Sequence, residues 1–90
     1  MATPRQERMR PLLREIAANF FLREALPRSL ITVTDATISP DFKRATIYIT
    51  TLPTSEEDRA LDFARRKRSD LREYLGTHAK LGTLPILEIK

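Results

Sequence analysis

Arg65-Arg66-Lys67-Arg68 is the densest run of chemistry-bearing side chains in this 90-residue sequence, and Arg72 and Lys80 follow it. Lys43 and Arg44 form a second basic pair, and Arg5, Arg8, Arg10 and Arg14 recur near the N-terminus. Guanidinium and ammonium groups suit contacts to phosphate oxygens, which bring affinity and salt dependence without reading base sequence. Basic helices also meet acidic protein surfaces, and a charged helix face is often only solvated. Catalysis finds little to use. His78 is the single histidine, and a lone helical histidine is far more often a surface residue than a general base. Two glycines are too few for a glycine-rich phosphate loop. No set of residues has metal-ligand spacing. The acids Glu56, Glu57 and Asp58 sit where a helix begins, and its dipole explains them better than paired catalytic carboxylates do. The sequence therefore predicts no enzyme, no cofactor, no metal and no small-molecule substrate.

The net charge of +4 and the pI near 10.0 favour polyanionic partners. Residues 1–28 carry six basic and three acidic groups, residues 54–63 one and four, and residues 64–80 six and two. The segment from Leu30 to Leu52 and the last ten residues each sum to zero. Positive charge thus gathers in two helical regions and avoids the strands. The chain has no cysteine, which excludes disulfides and thiolate sites and fits a reducing cytoplasm. No apolar run approaches the ~18 residues of a membrane span, and MATPRQERMR lacks the apolar centre of a signal peptide. Ninety residues suit one domain with a single modest core, spanning 1–90.

The frame that must hold these bases is clearest between Leu30 and Leu52. Ala45, Ile47 and Ile49 alternate with Thr46, Tyr48 and Thr50, the period of a strand with one buried face. Ile31 and Val33 start a matching strand, but its next apolar residues are Ala36 and Ile38, one position out of phase. One extra residue near Asp35 restores the face, so a β-bulge is expected there. Ser39-Pro40-Asp41-Phe42-Lys43 supplies the turn, because Pro40 pre-sets φ and Ser39 and Asp41 bond their own backbone. That turn places Ile38 opposite Ala45 and Ala36 opposite Ile47.

Met9, Leu12, Leu13, Ile16, Ala17 and Phe20 recur at three and four residues, which predicts an amphipathic helix over about 5–23. Thr3, Pro4 and Gln6 offer its cap, and Pro11 disturbs its first turns. Leu26 to Ser29 reads as a loop. After the hairpin, Pro53-Thr54-Ser55 opens a second helix in which Ala60, Leu61 and Ala64 face the core. Lys67 and Arg68 fall on the stripe that Leu71, Tyr74 and Leu75 continue, and burying two unpaired charges there would cost several kcal/mol. A bend at Lys67 to Ser69 releases them, giving helices at about 55–67 and 70–80 around an exposed basic elbow. Gly76 and Gly82 are possible stops, with Ala79 and Leu81 carrying the helix past the first. Leu84 to Ile89 reads as a short final strand, at an edge because of Pro85.

Helix, strand, strand, bent helix pair and strand form an α+β order that resembles a KH-like domain, related to type II, with a three-stranded sheet packed on helices. The residues narrow the resemblance. Ile31-Thr32-Val33-Thr34-Asp35-Ala36 and Ser39-Pro40-Asp41 through Ala45-Thr46-Ile47-Tyr48-Ile49 are similar to the hairpin of the ribosome-binding factor A family, with its Ser-Pro-Asp turn and Ala-x-Val-Tyr-Val strand. Leu71-Arg72, Leu75-Gly76, Leu81 and Leu84-Pro85-x-Leu87 resemble that family's second helix and closing strand, so the match covers about residues 5–89. The family bends between its helices at Ala-x-Gly and lacks the Gly-x-x-Gly loop of ordinary KH domains. Lys67-Arg68-Ser69 aligns with that bend and keeps neither small residue, which puts more positive charge there; Ile86 stands where a glutamate is common.

The resemblance implies a cytoplasmic, monomeric assembly factor that binds the immature 30S small ribosomal subunit, contacts 16S rRNA and assists its late processing. A KH-like RNA-binding module outside ribosome biogenesis, or a ribosomal protein, is the alternative; a protein-only adaptor with a basic helix is another. Under the leading reading Arg65, Arg66, Lys67 and Arg68 are the primary RNA contacts, with Arg72, Lys80, Lys43, Arg44, Arg8 and Arg10 as further members.

Overall fold

The computed structural model describes residues 4–24, 29–79 and 84–90. In chain order these form α1 (Pro4–Arg23), β1 (Leu30–Ile38), β2 (Arg44–Leu52), a 3-10 turn (Thr54–Glu56), α2 (Glu57–Arg66), α3 (Arg68–His78) and β3 (Ile86–Ile89). The architecture is α+β. The sheet runs β1-β2-β3, antiparallel between the first two strands and parallel between β2 and β3. Val33, Ala36, Ile38, Ala45, Ile47, Leu87 and Ile89 join Leu13, Ile16, Ala17, Phe20, Phe21, Ala64, Leu71 and Leu75 in one core. The helices therefore cover one face of the sheet. Thr32, Thr50, Leu30, Leu52 and Ile86 are exposed on the other.

The hairpin register is the expected one, with Ile38 opposite Ala45 and Ala36 opposite Ile47. Val33 pairs with Ile49 and Asp35 with Tyr48, so Thr34 is the extra residue of the bulge. The bulge is fastened from two sides. The Asp35 carboxylate accepts the Ala36 N–H at 2.8 Å, and the Arg10 guanidinium reaches the same carboxylate at 2.9 Å from α1. At the tip, the Ser39 hydroxyl donates to Asp41 at 2.6 Å and accepts the Arg44 N–H at 3.0 Å. The Asp41 carboxylate also accepts the Lys43 N–H at 3.0 Å.

The helix α1 continues through Pro11 without interruption. Its first turn is held by a tertiary bond, because the buried Gln6 donates from Nε2 to the Ile38 carbonyl at 2.8 Å. Pro11 lacks the N–H that would bond the Glu7 carbonyl one turn earlier, yet the helix does not break there. The expected Thr3 cap and the loop at Leu26 to Arg28 lie outside the described residues, as does Gly82.

The bend between the second and third helices is narrower than expected. It occupies Lys67 alone, at φ −89° and ψ 5°, and the Lys67 N–H still reaches the Phe63 and Ala64 carbonyls at 3.1 Å. One residue with ψ near zero turns the chain enough, so Ser69 lies inside the first turn of α3. Ser69→Ala is accordingly expected to be more stable than Ser69→Gly, by up to ~1 kcal/mol in urea melts. Equal stability of the two variants would move the break to Ser69.

Gly76 does not stop α3, which runs on to His78. A Cβ at Gly76 would lie 3.2 Å from the Leu84 side chain, so glycine there leaves room for that leucine in the segment leading into β3. Arg72 ties down the same segment by donating to the Leu84 carbonyl at 2.9 Å and the Pro85 carbonyl at 3.0 Å. β3 lies at the edge of the sheet, as Pro85 suggested, and Pro85 itself is fully buried.

Candidate nucleic-acid interface

The elbow divides its four bases instead of presenting them together. Buried Ala60 and Ala64 define the inner face of α2, and at 100° per residue Arg66 points away from it, with Arg65 on the flank; both are exposed. Lys67 turns the other way. Its ammonium lies 3.6 Å from Glu24 at the end of α1, 3.9 Å from Asp70 and 5.9 Å from the Phe63 ring centre. Lys67 thus ties the elbow to the end of α1 through the partly exposed pair with Glu24, and such pairs contribute little to stability.

Arg68 and Arg72, one turn apart on α3, flank the opposite side of that helix, beside β3. With Ser69, Ile86 and Leu87 they line a groove of about 410 Å³. A second depression, of about 240 Å³, shares Arg68, Ile86 and Leu87 and adds Arg44 and Glu88. The two form one continuous trough over the start of β3. Arg44 reaches it because the Ile86 N–H donates to the Lys43 carbonyl at 2.8 Å, which fixes the hairpin tip beside β3. Arg44 pairs with Ile86 in the parallel register. Ile86 is 64% exposed, an apolar floor among three guanidinium groups. Such a trough can hold phosphates along its rim while an apolar surface meets ribose or base.

The first-helix arginines separate into different roles. Arg8 is exposed. Arg10 is committed to the bulge through Asp35 and lies 3.7 Å from Glu7, so it acts as a fastener of the fold. The Ala36 N–H, and after it the Arg10 guanidinium, hold the Asp35 carboxyl below its ordinary value against the opposing effect of burial. Asp41 is likewise lowered, first by the Ser39 hydroxyl and then by the Lys43 N–H. Lys80 lies outside the described residues. Arg5, in the first turn of α1, sits over the Phe42 ring with its guanidinium carbon 4.4 Å from the centre, a contact that sequence alone does not signal. Ile86 also escapes a sequence reading, since an isoleucine in a strand signals a core position before a surface one.

His78 stacks on Tyr74 at 3.9 Å, and its Nδ1 lies 2.9 Å from the Tyr74 carbonyl. Among the described residues no three histidine, cysteine, aspartate or glutamate side chains are placed to hold a metal ion. No helix among them is long and apolar enough to cross a membrane.

The chain resembles several known proteins along nearly its whole length. It is 31% identical over 93 residues to ribosome-binding factor A of Methylobacterium nodulans, covering 98% of this chain and 69% of that protein. It is 32% identical over 91 residues to the protein of the same name from Methylobacterium sp. strain 4-46, covering 96% and 66%. The chain therefore spans about two thirds of the length of these relatives. The crystal structure of ribosome-binding factor A from Thermus thermophilus superposes with a TM-score of 0.86 at 24% identity, over 94% of this chain and 93% of that one. A Thermotoga maritima protein described as a putative ribosome binding factor A, solved by solution NMR, superposes at 0.83 with 18% identity, over 100% and 89%. These two share the fold. A Thermus thermophilus ribosome binding factor A homology model, fitted into a cryo-EM map of a 30S complex, superposes at 0.78 with 26% identity, over 89% and 87%. The family model described as ribosome-binding factor A matches residues 5–90, the span that contains the hairpin, the bent helix pair and the trough. The chain belongs to the ribosome-binding factor A family.

Proposed function

We propose that this chain is a ribosome maturation factor: it binds the immature 30S subunit through 16S rRNA and assists late processing of that RNA. It acts as a cytoplasmic monomer, by binding and without catalysis or cofactor. The observation that carries this reading is the convergence of Arg44, Arg68 and Arg72 on one trough beside an exposed Ile86. Phosphate contacts at the rim supply affinity and orientation. The Thermus relative placed in a 30S complex supports the choice of partner. Lys43, Arg65, Arg66 and Arg8 are exposed cations outside the lining of the trough and serve as secondary contacts.

Sedimentation of tagged protein through a density gradient, at low and at high salt, tests the reading. The protein is expected to travel with free small subunits at low salt, to avoid translating ribosomes and to move to the top of the gradient at high salt. Co-sedimentation with translating ribosomes would point instead to a ribosomal protein, and a position at the top under both conditions to a protein-only adaptor.

A further inference from the structure

We propose that the hairpin tip is a nucleobase-stacking site, in which an unpaired RNA base lies on the outer side of the Arg5–Phe42 pair while Lys43 and Arg44 hold its flanking phosphates. The proposal rests on the rRNA-binding reading above and adds to it the capture of a single-stranded nucleotide.

The first observation is conformational. Phe42 has φ 60°, in the left-handed region that glycine and asparagine enter easily and bulky residues avoid. The turn holds it there through the Phe42 N–H to Ser39 carbonyl bond at 2.9 Å and the Ser39–Asp41–Lys43 network. A strained aromatic residue where a small one would serve better points from folding toward function. Phe42 only borders the core and stays half-buried.

The second observation is what covers the ring. The Arg5 guanidinium carbon lies 4.4 Å from the ring centre, and Arg5 is exposed. The helical turn that carries Arg5 is pinned by the bond from Gln6 to the Ile38 carbonyl, so its backbone is fixed beside the hairpin tip, within reach of the Phe42 ring. Unstacked RNA bases are held in just this way, on aromatic rings and on the planes of arginine guanidinium groups. Single-strand sites combine such a platform with cations along the backbone. Lys43 and Arg44 follow Phe42 directly, and both are exposed. The one carboxylate of the turn, Asp41, is occupied by the Ser39 hydroxyl and the Lys43 N–H. The Lys43 carbonyl in turn accepts the Ile86 N–H, which makes the tip continuous with the trough. A strand leaving the trough past Arg44 would meet the platform next.

Arg5→Lys is the discriminating variant, because it keeps the charge and removes the planar group. Binding is measured by fluorescence anisotropy with a short unstructured single-stranded RNA and with a blunt RNA duplex carrying the same number of phosphates. Arg5→Lys is expected to weaken the single-strand complex by about five-fold or more, the low end of one base–aromatic stack, with an unchanged salt slope. The duplex complex should change by less than about two-fold, since paired bases cannot enter the platform. Phe42→Asn removes the ring while tolerating φ 60°, and it should repeat the selective loss with the circular dichroism spectrum retained. Loss on both RNAs alike, or on neither, would overturn the platform. Arg68→Ala separates the two readings. If it weakens both complexes while Arg5→Lys changes neither, only the platform fails. If the wild-type protein binds neither RNA, both readings fall.

Discussion

Ile47→Asp is expected to abolish cooperative folding at room temperature. Ile47 is fully buried on the central strand, paired with Ala36 of β1 on one side and Ile89 of β3 on the other. Removing a buried isoleucine side chain costs ~2–5 kcal/mol by itself. A carboxylate in its place meets aliphatic neighbours, and burying an unpaired charge is among the few changes that exceed ~4 kcal/mol. A chain of this length has ~5–13 kcal/mol of stability in total, at ~0.05–0.15 kcal/mol per residue. The sum therefore consumes most or all of the margin. Thr50→Asp is the control, on the same strand but exposed and facing away from the helices. It should cost no more than the ~1 kcal/mol range of strand propensities. Circular dichroism melts in urea check both variants, and equal effects would mean that the buried face of the sheet has been assigned the wrong way round.

The face of the hairpin could be read from sequence because the strand period is rigid. A one-residue slip between Val33 and Ala36 has a single structural meaning, and the Ser-Pro-Asp turn fixes the register. The bend could be read because four consecutive bases cannot share a helix with a buried stripe. What those bases touch could not. Lys67 finds Glu24 and Arg10 finds Asp35, partners distant in sequence that helix packing brings together. Arg10 looks like Arg8 and Arg14 in the sequence, and only the docking of α1 over β1 makes it a fastener. The elbow splits because the joint at Lys67 resets the helical phase, so Arg68 faces β3 while Lys67 faces α1. Gly76 carried a misleading signal. Glycine often ends a helix, but here it makes room for Leu84. The trough depends on the parallel pairing of β2 with β3, which sets Arg44 beside Ile86 and has no local signature in the sequence.

Replacing Arg44 and Arg68 together with alanine should then weaken small-subunit binding far more than replacing Arg66 and Lys67 together. Each double variant lowers the formal net charge from +4 by two, so long-range attraction falls equally in both. The difference between them isolates contact geometry. Arg44 and Arg68 line one trough with exposed side chains, and each phosphate neutralised adds about 0.7–0.9 to the slope of log affinity against log salt. Their joint loss should flatten that slope by roughly 1.4–1.8. Lys67 already faces Glu24 and Asp70, which leaves Arg66 as the one elbow base of that pair free to meet RNA, so the second variant should lose no more than about one contact. Neither double variant should unfold the domain, since the pairs of Lys67 are partly exposed and contribute at most ~1 kcal/mol. The loss should be similar across RNA sequences, because phosphate contacts position a protein without reading bases. If the Arg66 and Lys67 variant flattens the slope as much as the Arg44 and Arg68 variant does, the RNA backbone follows the tip of the elbow and the trough beside β3 is not its path.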